Sequence, residues 1–225
     1  MAAIIVVVLL AVVGGLVLLS QSDGGDVALT ETQLQDALVT EADVGDGFTI
    51  DPGDGEDEDE DFVRDDLDAS EECLDLYEQV EAADVVDVEA NVQLEGGDGS
   101  QVEQTLEQGS DIGLDTVREF AETCGEVTLD DGENAGSISF EVVDDIVEVG
   151  DESLTLRVVV DFDEPFDITL PSLGVLWERD GTHASLNVTG PIDEETFETG
   201  DPDEDLLRDV VEAADTRLAE VIDEA

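Results

Sequence analysis

The sequence predicts an α+β domain: an antiparallel β-sheet of five to six strands with helices packed on it, preceded by one N-terminal transmembrane or signal-anchor helix. Three observations predict it. An uninterrupted apolar segment opens the chain, apolar residues recur at helical spacing in its first half and at its C-terminus, and strict apolar–polar alternation fills its second half. Strands grouped together, with helices before and after them, are typical of an α+β architecture.

The N-terminal segment from Ala2 to Leu19 contains 18 consecutive residues without a polar side chain. This just reaches the ~17–25 residues that a membrane-spanning helix needs. A cleaved signal peptide is the alternative, although its apolar stretch is usually ~7–15 residues long and follows a basic start, which this chain lacks. We therefore divide the chain into an anchor or signal peptide (1–20), a linker (21–28) and an extracytoplasmic sensor-like domain (29–225).

The charge balance is extreme, with 64 acidic residues, six basic residues and a formal net charge of -58. All six basic residues are arginines. Disorder is not expected, because 41% of the residues are hydrophobic and they recur periodically. In ~1 M salt the Debye length is roughly 3 Å, so surface carboxylates barely repel one another. The composition indicates a halophile-adapted surface, and without a basic patch it excludes nucleic acid as a partner.

Three helices are predicted in the first two thirds of the chain. Thr30 and Gln33 form a capping box for the first helix, and Asp68 with Glu71 caps the second. Inward-facing residues at helical spacing define the second helix (Cys73, Leu76, Tyr77, Val80) and the third (Val117, Phe120, Ala121, Cys124). Between the first two helices, residues 51–61 include eight acidic residues among eleven, which predicts an exposed acidic loop.

Six runs of residues have the period-two alternation of half-buried strands. They lie at 86–94, 102–106, 138–142, 154–162, 175–178 and 184–188. Gly96 to Ser100 forms a turn between the first two. Asp180-Gly181 between the last two predicts a tight hairpin.

The chain closes with a helix. We expect Asp201 to cap it, with Pro202 at its first position. Its apolar stripe is Leu207, Val210, Val211, Ala214, Leu218 and Val221.

The two cysteines, Cys73 and Cys124, both fall on inward helix faces. An even number of cysteines in an exported domain indicates a disulfide. Two unrelated buried thiols are the alternative.

The order of these parts resembles the extracytoplasmic sensor-like domain of actinobacterial membrane proteins and lipoproteins, as found outside a mycobacterial receptor Ser/Thr kinase of the PknH type. The resemblance spans roughly residues 29–224 and rests on short motifs. They are Ala37 to Thr40, Val44 to Phe48, Cys73, Phe120 with Cys124, Gly150-Asp151, Arg179-Asp180-Gly181 and Arg217-Leu218. The resemblance implies a cleft between sheet and helices that binds an unidentified ligand. This chain has fewer cysteines than that domain and no kinase domain.

No catalytic, cofactor or metal site is predicted. His183 is the only histidine and lies beside the hairpin turn; as a general base it would need a nucleophile and an orienting carboxylate, and no Gly-x-Ser-x-Gly motif accompanies it. The chain has no lysine for amine chemistry. The acidic run 51–61 lacks the fixed ligand spacing of an EF-hand.

The leading functional interpretation is a non-enzymatic, membrane-tethered extracytoplasmic domain that binds or senses an unidentified small ligand. The alternatives are an envelope-associated structural or interaction protein without a small ligand, a secreted form of the domain, and an exported hydrolase. Candidate residues that line a ligand cleft are Phe140, Phe162 and Trp177.

The charge imbalance predicts that the domain (residues 26–225) unfolds as salt falls below the molar range, because its carboxylates then repel one another unscreened. Circular dichroism in ~0.1 M and ~3 M NaCl measures this. Equal stability at both concentrations would contradict the halophilic interpretation.

Overall fold

A computed structural model describes the chain over residues 28–51, 67–83, 87–109, 113–130, 135–144, 146–164, 168–193 and 199–225. The predicted anchor and nearly all of the acidic run lie outside these residues. Within them, no helix has the length and apolarity needed to cross a membrane.

The described residues form an α+β domain around one antiparallel sheet. Its nine strands run in the order β1-β3-β4-β9-β8-β7-β6-β5-β2. The strands are β1 (Phe48–Ile50), β2 (Leu67–Asp68), β3 (Val88–Gly96), β4 (Gln101–Gln108), β5 (Glu126–Asp130), β6 (Ala135–Val143), β7 (Glu152–Glu164), β8 (Ile168–Arg179) and β9 (Thr182–Thr189).

The predicted number of five to six strands is therefore wrong, although all six predicted strands are present. The additional strands are β1, β2 and β5, which contain three, two and five residues. Segments this short show too little alternation to be recognised, and pairing with a longer neighbour defines them. β1 pairs with the end of β3, and β2 pairs with β5 at the opposite edge of the sheet.

Five helices lie in the described residues: α1 (Glu31–Ala37), α2 (Glu41–Val44), α3 (Glu71–Ala83), α4 (Leu114–Cys124) and α5 (Glu204–Glu224). The predicted capping box of α1 is confirmed, because the Thr30 hydroxyl accepts from the Gln33 amide and Gln33 accepts from the Thr30 amide.

Two of the predicted caps are wrong. Asp68 belongs to β2, and the hydroxyl of Ser70 instead accepts from the Cys73 amide at 3.2 Å. At α5 the cap is Asp203, whose carboxylate accepts from the first-turn amides of Asp205 and Leu206. A cap must directly precede the first helical residue, and Asp201 with Pro202 lies too early in the chain.

The sheet buries opposite faces in its two halves. Residues paired across neighbouring antiparallel strands share a face. Trp177 is fully buried in the cluster beneath α1 and α5, yet its partner on β7, Ser153, is only half-buried. Leu154, the next residue of β7, points the other way and packs against Val117 and Ala121 of α4. The buried face thus changes at β8, which is buried on both faces.

The larger core lies between strands β3, β4, β9 and β8 and helices α1, α2 and α5. Its fully buried side chains include Leu34, Leu94, Val102, Leu106, Leu173, Val175, Trp177, Leu186, Leu207, Val210, Val211, Ala214 and Leu218. Most of the predicted stripe of α5 is therefore confirmed as core, whereas Val221 is partly buried.

The smaller core lies between α3, α4 and strands β5 to β7, and a disulfide crosses it. Cys73 of α3 and Cys124 of α4 are joined with their Cα atoms 5.0 Å apart, as predicted. In the chain-entropy model, closing this loop stabilises the fold by about 4 kcal/mol. The rings of Phe120 and Phe140 meet edge to face at 5.2 Å and fix α4 on β6.

Helix α5 is held by nearly all the arginines that the structure describes. Arg179 of β8 donates two hydrogen bonds of 2.6 Å to Asp215. Arg217 donates to the Asp36 carbonyl at 2.9 Å and lies 3.5 Å from the Asp43 carboxylate, which ties α5 to α1 and α2. The remaining contacts run from Arg208 to the Ile146 carbonyl and from Arg157 to Glu204.

The Arg179–Asp215 pair is bidentate and only 25% and 14% exposed, so it resists screening by salt. Asp215 also raises the pKa of Arg179 above its usual value, mainly through its side-chain hydrogen bond. We expect Arg179→Gln to lower the free energy of unfolding by about 1–2 kcal/mol, measured by urea unfolding at high salt.

The matched control is Arg157→Gln, which removes the same charge from a pair that is 3.4 Å apart and more exposed. Its expected cost is below about 0.5 kcal/mol. Equal losses in the two variants would show that Arg179 has no special role in holding α5.

Candidate functional site

The loop between β6 and β7 is fastened to the β8–β9 hairpin. Gly150 has φ +63, and a Cβ there would lie 2.3 Å from the Glu178 carbonyl oxygen and 2.8 Å from Cδ1 of Trp177. The Asp151 amide donates to the same carbonyl at 2.7 Å. Only glycine fits this close approach, so the Gly150-Asp151 pair is explained by backbone packing.

The hairpin turn is attached to this loop in return. Asp180 and Gly181 have φ values of 49 and 77, as a two-residue Asp-Gly turn requires, so the predicted hairpin is confirmed. The Asp180 amide donates to the Asp151 carboxylate at 3.0 Å. Because Arg179 is bound to α5, the loop, the hairpin and the last helix form one connected unit.

The loop is also anchored at its start. Arg208 of α5 donates to the Ile146 carbonyl at 3.2 Å, and the side chains of Ile146, Val147 and Val149 pack on the larger core. A loop fastened at both ends presents its remaining groups in a fixed arrangement, as a binding site requires.

A pocket of ≈ 380 Å³ opens beside this loop. It is formed by α4, the end of β6, the loop and the first residues of β7. Its lining residues are Arg118, Val143, Asp144, Val147, Glu148, Val149, Gly150, Asp151, Glu152, Ser153, Leu154 and Thr155. A volume of this size is within the range of small-molecule sites.

Arg118 is the one cationic side chain among these lining residues. It extends from α4 and is half-buried. The other four described arginines contact α5 or lie on it, whereas Arg118 has no ion pair within the described part of the chain. A guanidinium without a partner in a protein of net charge -58 is available to a ligand.

The predicted cleft residues do not come together. Trp177 is fully buried in the larger core, on the sheet face that α5 covers. Phe140 and Phe162 pack with the opposite face, near Ile138 and Val160. The three side chains therefore share no cleft, and none of them lines the pocket.

His183 lies half-buried on the polar face of β9, outside the pocket. In the sheet register it stands opposite Glu178 on one side and Glu107 on the other. Among the described residues, no group of three or more histidine, cysteine or acidic side chains is placed to hold a metal ion.

The sequence interpretation missed Arg118 and the loop residues around it. The sequence did contain a usable signal. It has only six arginines against 64 acidic residues, so each arginine was a candidate for a specific structural or binding role. The sequence did not reveal which acceptor groups each arginine contacts, because those partners lie up to 181 residues away.

The sequence matches no described protein family, and no curated protein is significantly similar to it. Among solved structures, it is similar to the crystal structure of an uncharacterized protein from Mycobacterium smegmatis, an Rv0999 ortholog. The identity is 14% and the TM-score 0.47, over 84% of this chain and 94% of that chain. This similarity carries no inference about function, and the expected relation to the PknH-type sensor domain is not confirmed.

The close contacts of Gly150 predict that Gly150→Ala destabilises the protein by about 2–4 kcal/mol, through a forced left-handed alanine and overpacking against Trp177. Urea unfolding at high salt measures the loss, with the single tryptophan as the fluorescent reporter. Gly97→Ala is the control, because a Cβ there meets no atom within 4 Å. Equal stability of the two variants would disprove the role assigned to Gly150.

Proposed function

We propose that this chain is a membrane-tethered extracytoplasmic domain that binds a small ligand and does not catalyse a reaction. The observation that carries the proposal is the pocket beside the β6–β7 loop, where Arg118 has no ion pair among the described residues. Hydrogen bonds from the β8–β9 hairpin and from α5 hold the β6–β7 loop that lines the pocket. A preorganised site of this kind favours binding.

Placement outside the cytoplasm is supported by two features. The Cys73–Cys124 disulfide is of the kind that persists in oxidising compartments. The apolar segment from Ala2 to Leu19 is long enough for an anchor. A domain of this acidity can be exported, because long domains translocate largely regardless of their charge.

The lining of the pocket favours binding over catalysis. It offers the hydroxyls of Ser153 and Thr155 but no histidine, cysteine or lysine that would activate or replace them as nucleophiles. His183 is outside the pocket, so it cannot activate these hydroxyls. An exported hydrolase is therefore the weaker interpretation.

A capture experiment tests ligand binding without assuming what the ligand is. The full chain, purified in detergent at high salt, is incubated with the low-molecular-mass fraction of spent growth medium and washed. Bound solutes are then released and analysed by mass spectrometry. We expect solutes that bind the wild-type protein and are lost in Ser153→Trp, which fills the pocket.

Ser185→Trp is the matched control, because Ser185 lies on β9 outside the pocket and should leave capture unchanged. Capture of nothing by the wild-type protein, or of the same solutes by Ser153→Trp, would contradict the proposal. It would favour an envelope-associated interaction protein.

The anchor is tested separately. Val7→Asp combined with Leu10→Asp should release or mislocalise the protein, because each charge at the centre of a membrane helix costs about 2.5–3.5 kcal/mol. Fractionation and external protease treatment of intact cells measure this, with Ser20→Asp as a control at the end of the apolar segment. Wild-type protein that is cytoplasmic, or shielded from the protease, would refute the tethered extracytoplasmic placement.

A further inference from the structure

The pocket combines one cation with several carboxylates. Arg118 contributes the guanidinium, and Asp144, Glu148, Asp151 and Glu152 contribute acidic groups from the loop and the start of β7. A planar guanidinium binds a carboxylate through two parallel hydrogen bonds, and this geometry retains its selectivity when salt screens long-range attraction. Arg118 therefore points to a ligand with a carboxylate.

A purely anionic ligand does not fit the rest of the pocket. It would sit beside four further carboxylates, and at such short range their repulsion is only partly screened even in ~1 M salt. A cationic group on the same ligand removes this penalty and gives those carboxylates an ammonium partner. The charges of the pocket thus match a zwitterion.

The size of the pocket and the residue types that line it narrow the ligand class further. A pocket of ≈ 380 Å³ accommodates a molecule of amino-acid to dipeptide size. Val143, Val147, Val149 and Leu154 are packed into the hydrophobic cores, so the lining presents mainly polar groups to a ligand. None of the lining residues is aromatic, so a nucleobase would find no stacking partner there.

We propose that the pocket binds zwitterionic α-amino acids or short peptides and prefers those with a second ammonium group. The ligand carboxylate lies on Arg118, and its ammonium groups face the acidic residues of the β6–β7 loop. This inference rests on the proposed ligand-binding function and specifies its ligand class.

The test uses the full chain in detergent at high salt and compares L-lysine with acetate and n-butylamine, which carry its carboxylate and its side-chain ammonium separately. Binding is followed by saturation-transfer NMR and by the fluorescence of Trp177, whose ring touches the position of Gly150. We expect L-lysine to bind at least ~tenfold more tightly than acetate or n-butylamine, because only L-lysine pairs a carboxylate and ammonium groups at the same time.

Arg118→Gln should weaken L-lysine binding by at least ~tenfold and leave n-butylamine unchanged, since it removes the carboxylate partner alone. Arg157→Gln is the control, because it removes an arginine outside the pocket and should bind L-lysine like the wild type.

Three results would overturn the ligand class. They are acetate binding as tightly as L-lysine, L-lysine binding unaffected by Arg118→Gln, and no binding of any probe to a protein that still captures another solute in its pocket. In each case the ligand-binding function stands. No probe binding together with no captured solute would overturn both.

Discussion

The constraint behind this structure is the excess of carboxylates, which leaves six arginines to compensate 64 acidic residues. Helix α5 shows how the arginines are used. The helix is strongly acidic along its exposed side, and its apolar face is buried on the sheet through Leu207, Val210 and Leu218. Salt screening only weakens the repulsion between carboxylates. The hydrogen bonds of Arg179 and Arg217 add directional contacts that attach α5 to the rest of the domain. Four of the five arginines that the structure describes thus contact α5 or lie on it, where they help to hold the helix over the larger core.

The position of the pocket follows from the same connections. The sheet buries one face under α5 and the opposite face under α4, and the change occurs at β8, which is buried on both faces. The β6–β7 loop lies beside this change, where Gly150 packs on Trp177 and Arg208 holds Ile146. Arg118 reaches the loop from α4, on the other side of the sheet from α5. The pocket therefore forms where the two cores meet, and its arginine makes no ion pair within the described part of the chain.

Local sequence motifs predicted much of the fold, but they did not predict the contacts between segments that are distant in the chain. Thr30 and Gln33 identified a helix start, and Asp180-Gly181 identified a hairpin, because each motif is complete within a few residues. The very short strand Leu67–Asp68 exists only through pairing with β5, so Asp68 was assigned to a cap that Ser70 provides. Aromatic residues were expected to line a cleft, but alternation along a strand does not reveal which face a helix covers. The site could not be predicted for the same reason, since its walls come from α4, β6 and β7 together.

Hydrogen–deuterium exchange during a salt titration tests the central claim most directly. The full chain is followed by mass spectrometry as NaCl is lowered stepwise from ~3 M, and amide protection in α5 is compared with that in β8 and β9. If α5 docking depends on screening together with its arginine contacts, the amides of Glu204–Glu224 lose protection at a higher salt concentration than those of the sheet. Simultaneous loss of protection in α5 and the sheet would contradict the account, because charge would then act on the domain as a whole.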